Sequence, residues 1–212
     1  MMRLLRQFAP GFFLVGALLV TGLVGRYLTL NPEVYFDAQR AIYEAHPIAL
    51  FCHVLGGMVA LLLGPFQFMA GLRARFPRAH RVTGRLYAAS SVTSSIAGLT
   101  MATRAFGGFP AGLGFGMLAV LWLLTIVMAV ARARQRNFTA HREWVIRSFA
   151  LTLAAVTLRI YLPAHGILDG TGVIDLDFIQ MYRAVAWLCW VPNLIVAEWY
   201  INASRMPRES IA

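Results

Sequence analysis

PIALFCHVLGGMVALLLGPFQFMAGL, residues 47–72, contains one histidine, His53, and no aspartate, glutamate, lysine or arginine. At about 1.5 Å per residue, a helix of that length reaches past the ~30 Å hydrocarbon core of a bilayer. Pro47 suits the first position of such a helix, where a missing N–H costs nothing. Directly behind the run comes Arg73-Ala-Arg75-Phe-Pro77-Arg78-Ala-His80-Arg81, continued by Gly84-Arg85. An uncharged run stopped by a dense cationic turn is the pattern of a helix that crosses a membrane and ends at its surface.

Working outward, the same alternation recurs. Spans are expected at about residues 8–28, 47–72, 86–103, 113–131, 144–162 and 180–201, in a single transmembrane domain covering 1–212. Arg3 and Arg6 precede the first span. Its charge-free stretch from Phe8 to Gly25 outruns the ~7–15-residue core of a signal peptide and no A-x-A-like site follows, so a retained helix is expected. The third span is rich in Ser, Thr and Ala and belongs inside the bundle, since small residues let helices approach closely in lipid. Pro163 is expected to stop the fifth span. In the sixth, Trp187, Trp190, Trp199 and Tyr200 read as interface anchors. The fold class is all-α: a polytopic helical membrane bundle of about six transmembrane helices.

Composition agrees. The chain has 212 residues and a mean hydropathy of +0.65, with only 13% charged residues. That is about half the charged share of a soluble domain, too little to coat a water-facing surface. The short alternating segments of a membrane β-barrel are not visible. The net charge of +10 and pI near 10.8 come from 19 basic residues, every one an arginine. They cluster in turns and not in a stripe interleaved with aromatics, so nucleic acid is not an expected partner. Cys52 and Cys189, the only cysteines, lie within apolar spans and provide neither a disulfide framework nor a zinc pattern. No P-loop, nucleophile elbow, zincin motif or dinucleotide fingerprint is present.

Fourteen of the nineteen arginines belong to the N-terminus, the two basic turns and the C-terminus. The positive-inside rule then places both termini and both basic turns in the cytoplasm, as expected of a multi-pass protein of the bacterial cytoplasmic (inner) membrane.

The two basic turns echo each other. Leu72-Arg-Ala-Arg75 leads to His80-Arg81, and Ala131-Arg-Ala-Arg134 leads to His141-Arg142. Spans two–three and four–five therefore admit a two-hairpin internal repeat. Pro77 would start the helix holding His80, and Thr139 would cap the one holding His141. In a first helical turn beside arginines, the imidazole is favoured in its neutral form, the form that ligates metal. The same place equally makes an anion site from free backbone N–H groups and guanidinium.

At these residues the chain resembles the bacterial membrane-protein family known as "domain of unknown function 2306". The resemblance rests on His53-Val-Leu-Gly56-Gly57, Leu63-Gly64-Pro65-Phe66-Gln67-Phe68 and His80-Arg81-x-x-Gly84-Arg85-x-Tyr87. It continues in His141-Arg142-x-Trp144-x-x-Arg147-Ser148, Leu158-Arg159, Asn193-Leu194 and Glu198. It covers approximately residues 45 to 200 and implies a multi-span membrane protein with no agreed activity.

Several residues carry the chemistry that remains. His53 is the only histidine within a span, and an ionisable group there is a functional candidate by default. As a haem ligand it would need His165, just past Pro163. His46, seven residues earlier, shares a face with it but is roughly 10 Å off along the helix and too far to share a metal ion. His80 and His141 would form a second pair, which makes haem b the candidate cofactor. His141 and His165 are about 36 Å apart if the fifth span is wholly helical, a long separation for two stacked haems unless Pro163 breaks it. No metal site is expected otherwise. Arg81, Arg85, Arg142 and Arg147 are the candidates for binding anionic lipid headgroups. Arg159 and Glu198 are the buried ionisable residues. Arg159 would pair with an outer acid such as Asp169 or snorkel to the headgroups, and Glu198 would pair with Arg85, Arg142 or Arg147. Cys52 and Cys189 are expected to be packing residues.

Three functions stay open. The first is a non-catalytic membrane component that binds lipid, quinone or a partner protein. The second is a haem-binding electron carrier that uses the histidine pairs. The third is a carrier for a small solute or a proton, for which the sequence shows hydroxyl-rich span three but no broken pair of helices.

Overall fold

The structure, a computed structural model, describes residues 2–205, with residues 2–10 and Phe12 described by their backbone alone. Arg208 lies outside the described residues, as do the side chains of Arg3 and Arg6. No strand occurs among the described residues. The chain forms α1 (Met2–Gly25), three short 3-10 turns between Arg26 and Gln39, α2 (Arg40–Ala45), α3 (Pro47–Gln67) and α4 (Ala70–Arg75). It continues as α5 (Pro77–Ala102), α6 (Phe109–Arg134), α7 (Phe138–Thr152), α8 (Ala154–Gly170), α9 (Phe178–Leu188) and α10 (Val191–Arg205). Helices α7–α8 and α9–α10 each form one rod with a break. Four rods are long and apolar enough to cross a membrane: α3, α6, α7–α8 and α9–α10. The protein is a polytopic helical membrane bundle.

Proline and side-chain caps set the starts. Pro47, Pro77 and Pro110 each sit in the first turn of their helix. The cap of α7 is Asn137, whose Oδ1 accepts the Ala140 N–H at 3.1 Å, and not Thr139. Asn is the stronger N-cap of the two, and its capping at 137 leaves Thr139 inside the first turn. Between α5 and α6 the chain reverses through Gly107 and Gly108 at φ +89° and +73°, a region a Cβ would strain.

Helices α3, α5, α6 and α7 form a ring of four, each packed on the next and α7 closing back on α3. The α3–α5 seam is the tightest. A Cβ on Gly56 would lie 2.7 Å from the Ser90 carbonyl oxygen, so the two backbones touch there. Ser91, Ser94 and Ser95 are buried along α5, in keeping with a least-hydrophobic helix placed inside. Helix α1 lies against α3 and α8, α9 against α6 and α8, and α10 against α7.

Three expectations are corrected. Pro163 does not stop the fifth rod, because a proline in a membrane helix forfeits one backbone rung and the rest can continue; α8 runs on to Gly170. The break falls earlier, at Leu153, where the turn tightens into a Val156 N–H to Leu153 carbonyl bond of 2.9 Å. The sixth rod breaks at Cys189–Trp190, just before Pro192 removes the N–H that would bond Leu188. A broken pair of helices is therefore present after all. Asn193 joins the two breaks: its Nδ2 donates to the carbonyls of Cys189 at 3.0 Å and Ala150 at 3.3 Å, and to Thr157 Oγ1 at 3.0 Å. Of the expected interface anchors, Trp199 is exposed, but Trp190 is buried in the core with Trp187 packed on it at 5.9 Å. Their indole N–H groups bond the carbonyls of Ala186 and Pro110, so both serve packing between α9 and its neighbours.

Candidate functional sites at the two ends of the bundle

At the basic end the two histidines of the echo come within each other's electrostatic reach. His141 Nδ1 lies 2.8 Å from the Ala129 carbonyl and donates to it, which leaves the Nε2 lone pair free. His80 lies outside the 86–103 span, and its Nδ1 is enclosed without a partner. Burial first, then the charges of Arg73 and His141, hold the His80 imidazole below its ordinary value and keep it neutral.

The four arginines proposed for headgroups divide. Arg147 grips both oxygens of Glu198 at 2.5 and 2.9 Å and stacks over the Trp144 ring at 4.7 Å. It is a structural pair and not a free anion site, because its donor fork is already filled by a carboxylate. Of the three partners considered for Glu198, this is the one formed. Arg142 donates to the Tyr200 hydroxyl at 3.3 Å. Arg81 bonds only the Pro77 carbonyl of its own helix, and Arg85 is exposed with no acidic partner among the described residues. Glu143 is taken by Arg205 at 2.5 Å.

At the opposite end no described contact joins His53 to His165. His53 Nδ1 donates to the Ser94 carbonyl at 2.9 Å while Ser94 Oγ donates to the His53 carbonyl at 2.8 Å. The ring rests on Gly98, where a Cβ would come within 2.9 Å of Nδ1. His165 instead donates from Nε2 to the Leu176 carbonyl at 2.8 Å and meets the Phe178 ring at 6.0 Å, tying the α8–α9 loop to its helix. Helix α8 is unbroken at Pro163, and the break between His141 and His165 falls at Leu153 instead. Arg159 makes no pair with Asp169 or any other carboxylate among the described residues. Cys52 and Cys189 are both free thiols, and Cys189 is buried. No group of three or more metal-ligating side chains occurs among the described residues.

Sequence reasoning missed the roof over this end. Tyr27, Tyr35 and Tyr43 pack ring on ring at 5.5 to 5.8 Å, and Phe36 stacks on Tyr182 at 6.4 Å. Gln39 Nε2 donates to the Tyr182 hydroxyl across 143 residues of sequence. The signal was available: Val34-Tyr35-Phe36, an apolar triplet in an otherwise polar loop, needs something to cover it. Burial pushes the Tyr43 phenol up, with the neighbouring Tyr182 and Tyr27 adding to the shift, so Tyr43 stays a neutral donor. A second network also escaped notice: the Tyr87 hydroxyl meets Ser148 Oγ at 2.9 Å and Thr152 Oγ1 at 3.1 Å in the middle of the ring.

Residues 50–201 match the family model described as a predicted membrane protein, DUF2306. The chain belongs to that family. No curated protein and no solved structure matches it. In this DUF2306 protein the motif residues mostly fasten helices together. His53 and Gly56 of α3 pack against α5, Gln67 Nε2 donates to Thr83 Oγ1 at 3.0 Å beside Gly84, Arg147 holds Glu198, and Asn193 bridges the breaks. The family is defined by its membrane character and carries no activity with it.

Proposed function

We propose that this protein is a non-catalytic component of the bacterial cytoplasmic membrane that crosses the bilayer six times, keeps both termini inside, and binds anionic lipid headgroups through its two basic turns. One observation carries the reading. Among the described residues, the arginines of those turns have no carboxylate partner except Arg147, so their charge is left for an anion outside the protein. Near a membrane surface each such residue contributes about 1 kcal/mol toward anionic lipid. Bound phosphatidylglycerol, counted by native mass spectrometry after exchange from mixed bilayers, should fall several-fold when Arg81, Arg85 and Arg142 are all changed to glutamine. Unchanged lipid retention overturns the proposal. Reporter fusions at the basic turns test the orientation, and a periplasmic signal at His80 and His141 defeats it.

A second reading, haem binding, is favoured by the free Nε2 of His141 beside His80. A ligating histidine commonly donates its other ring nitrogen to a carbonyl, as His141 does to Ala129. It expects a Soret band in the purified protein that disappears in His141→Ala. A colourless folded preparation from haem-replete cells rejects it.

A further inference from the structure

Arg159 projects from α8 into the outer half of the bundle without a counter-ion. Its one hydrogen bond runs from Nη1 to the Ala155 carbonyl of its own helix at 3.1 Å. A guanidinium has five N–H donors, so most are unfilled. All three ion pairs among the described residues lie elsewhere. A cation within the depth of a membrane bundle is costly and normally pairs with an acid. None is supplied.

What surrounds Arg159 is a set of hydroxyl donors. Tyr27 at the end of α1, Tyr43 on α2 and Tyr182 on α9 lie within its electrostatic reach, as do His53 and Cys189. Tyr27 stacks on Tyr35, Tyr43 meets both rings edge-on, and Gln39 of the same loop donates to the Tyr182 hydroxyl, so the three phenols belong to one packed cluster. Arg159 is nevertheless only partly covered by protein, and it is absent from the side chains whose unfilled nitrogens are sealed off. Its remaining N–H groups are therefore not sealed in by protein atoms.

We infer that Arg159, with the hydroxyls of Tyr27, Tyr43 and Tyr182, forms a binding site for a singly charged carboxylate. The planar fork of the guanidinium matches two carboxylate oxygens, and the phenols supply further neutral donors. One positive charge in a low-dielectric chamber selects one negative charge. The site stands apart from the basic turns and does not depend on them. Two sources share this chemistry: the carboxylate of an acyl chain entering from the bilayer, and a small carboxylate entering from the water beyond the tyrosine roof.

The test is thermal unfolding of the purified full-length protein with sodium octanoate, sodium acetate or sodium chloride at equal ionic strength. Octanoate is expected to raise Tm saturably by about 4 °C over chloride. The shift should vanish in Arg159→Gln and require about tenfold more octanoate in Tyr43→Phe. Acetate without effect assigns the ligand to the bilayer; acetate matching octanoate assigns it to the aqueous side. If neither anion shifts the wild-type protein, or if Arg159→Gln and Tyr43→Phe keep the full shift, the site does not exist. Should Arg159→Gln fail to fold, Tyr43→Phe and Tyr182→Phe decide, because each removes a single hydroxyl and leaves the charge in place.

Discussion

Arg147 and Arg159 stand on the same rod, one on each side of the break at Leu153, and the protein treats them oppositely. Arg147 has a side chain only 16% exposed, is held at both ends of its fork by Glu198, and lies flat on Trp144. Arg159 has a carbonyl of its own helix and three phenols for neighbours. The first is architecture, because its charge is cancelled within the fold and its removal would leave another group stranded. The second is left for something the chain does not contain. Around Arg147, Gln67, Asn193 and the Tyr87 hydroxyl likewise have partners on a facing helix, although His80 Nδ1 at the same end of the bundle has none. Around Arg159 there is no counter-ion among the described residues.

Unfolding midpoints of ligand-free variants separate the two arginines and the groups around them. Glu198→Ala should cost the most, about 3 kcal/mol, the low end for splitting a buried pair because Glu198 is 41% exposed. A loss below about 0.5 kcal/mol would mean Arg147 is no better paired than Arg159. Asn193→Ala should cost about 2 kcal/mol, since three hydrogen bonds across the two breaks go with it. Wild-type stability in that variant would show that the breaks need no fastening. Tyr87→Phe should cost about 1 kcal/mol by leaving Ser148 and Thr152 without the phenol. Arg159→Gln sharpens the contrast from the other side. It should not destabilise, and should gain about 0.5–1 kcal/mol by removing an unpaired charge from the bundle. A loss of 2 kcal/mol there would place Arg159 among the structural arginines.

Much of the fold was legible from local pattern. The run from Pro47 and the arginines behind it mark a crossing without reference to any other part of the chain, because hydrocarbon rejects charge wherever it occurs. The seclusion of the Ser-rich span followed from its poor fit to lipid. The helix breaks were half legible. Pro192 stood in the sequence as a signal for the second, whereas Pro163 drew attention away from Leu153, on either side of which Asn193 of another rod bonds Ala150 and Thr157. The candidate sites were legible as residues and not as pairs. His53, His80, His141, His165, Arg159 and Glu198 stand out in sequence as polar groups in apolar surroundings, but nothing near them says which partner each will find.

Sequence alone determined that lipid is the solvent for most of these side chains, where the helices start, and on which turns the positive charge is concentrated. These are properties of consecutive residues, and a bilayer reads them one segment at a time. Tertiary structure alone decided that Glu198 goes to Arg147 across 51 residues, that His53 and His165 part company, and that Arg159 meets no acid among the described residues. Pairing is a matter of which faces the helices turn to each other, and that depends on the packing of all the rods together, a Gly56 contact in one seam or an Asn193 bridge in another, which no single segment encodes.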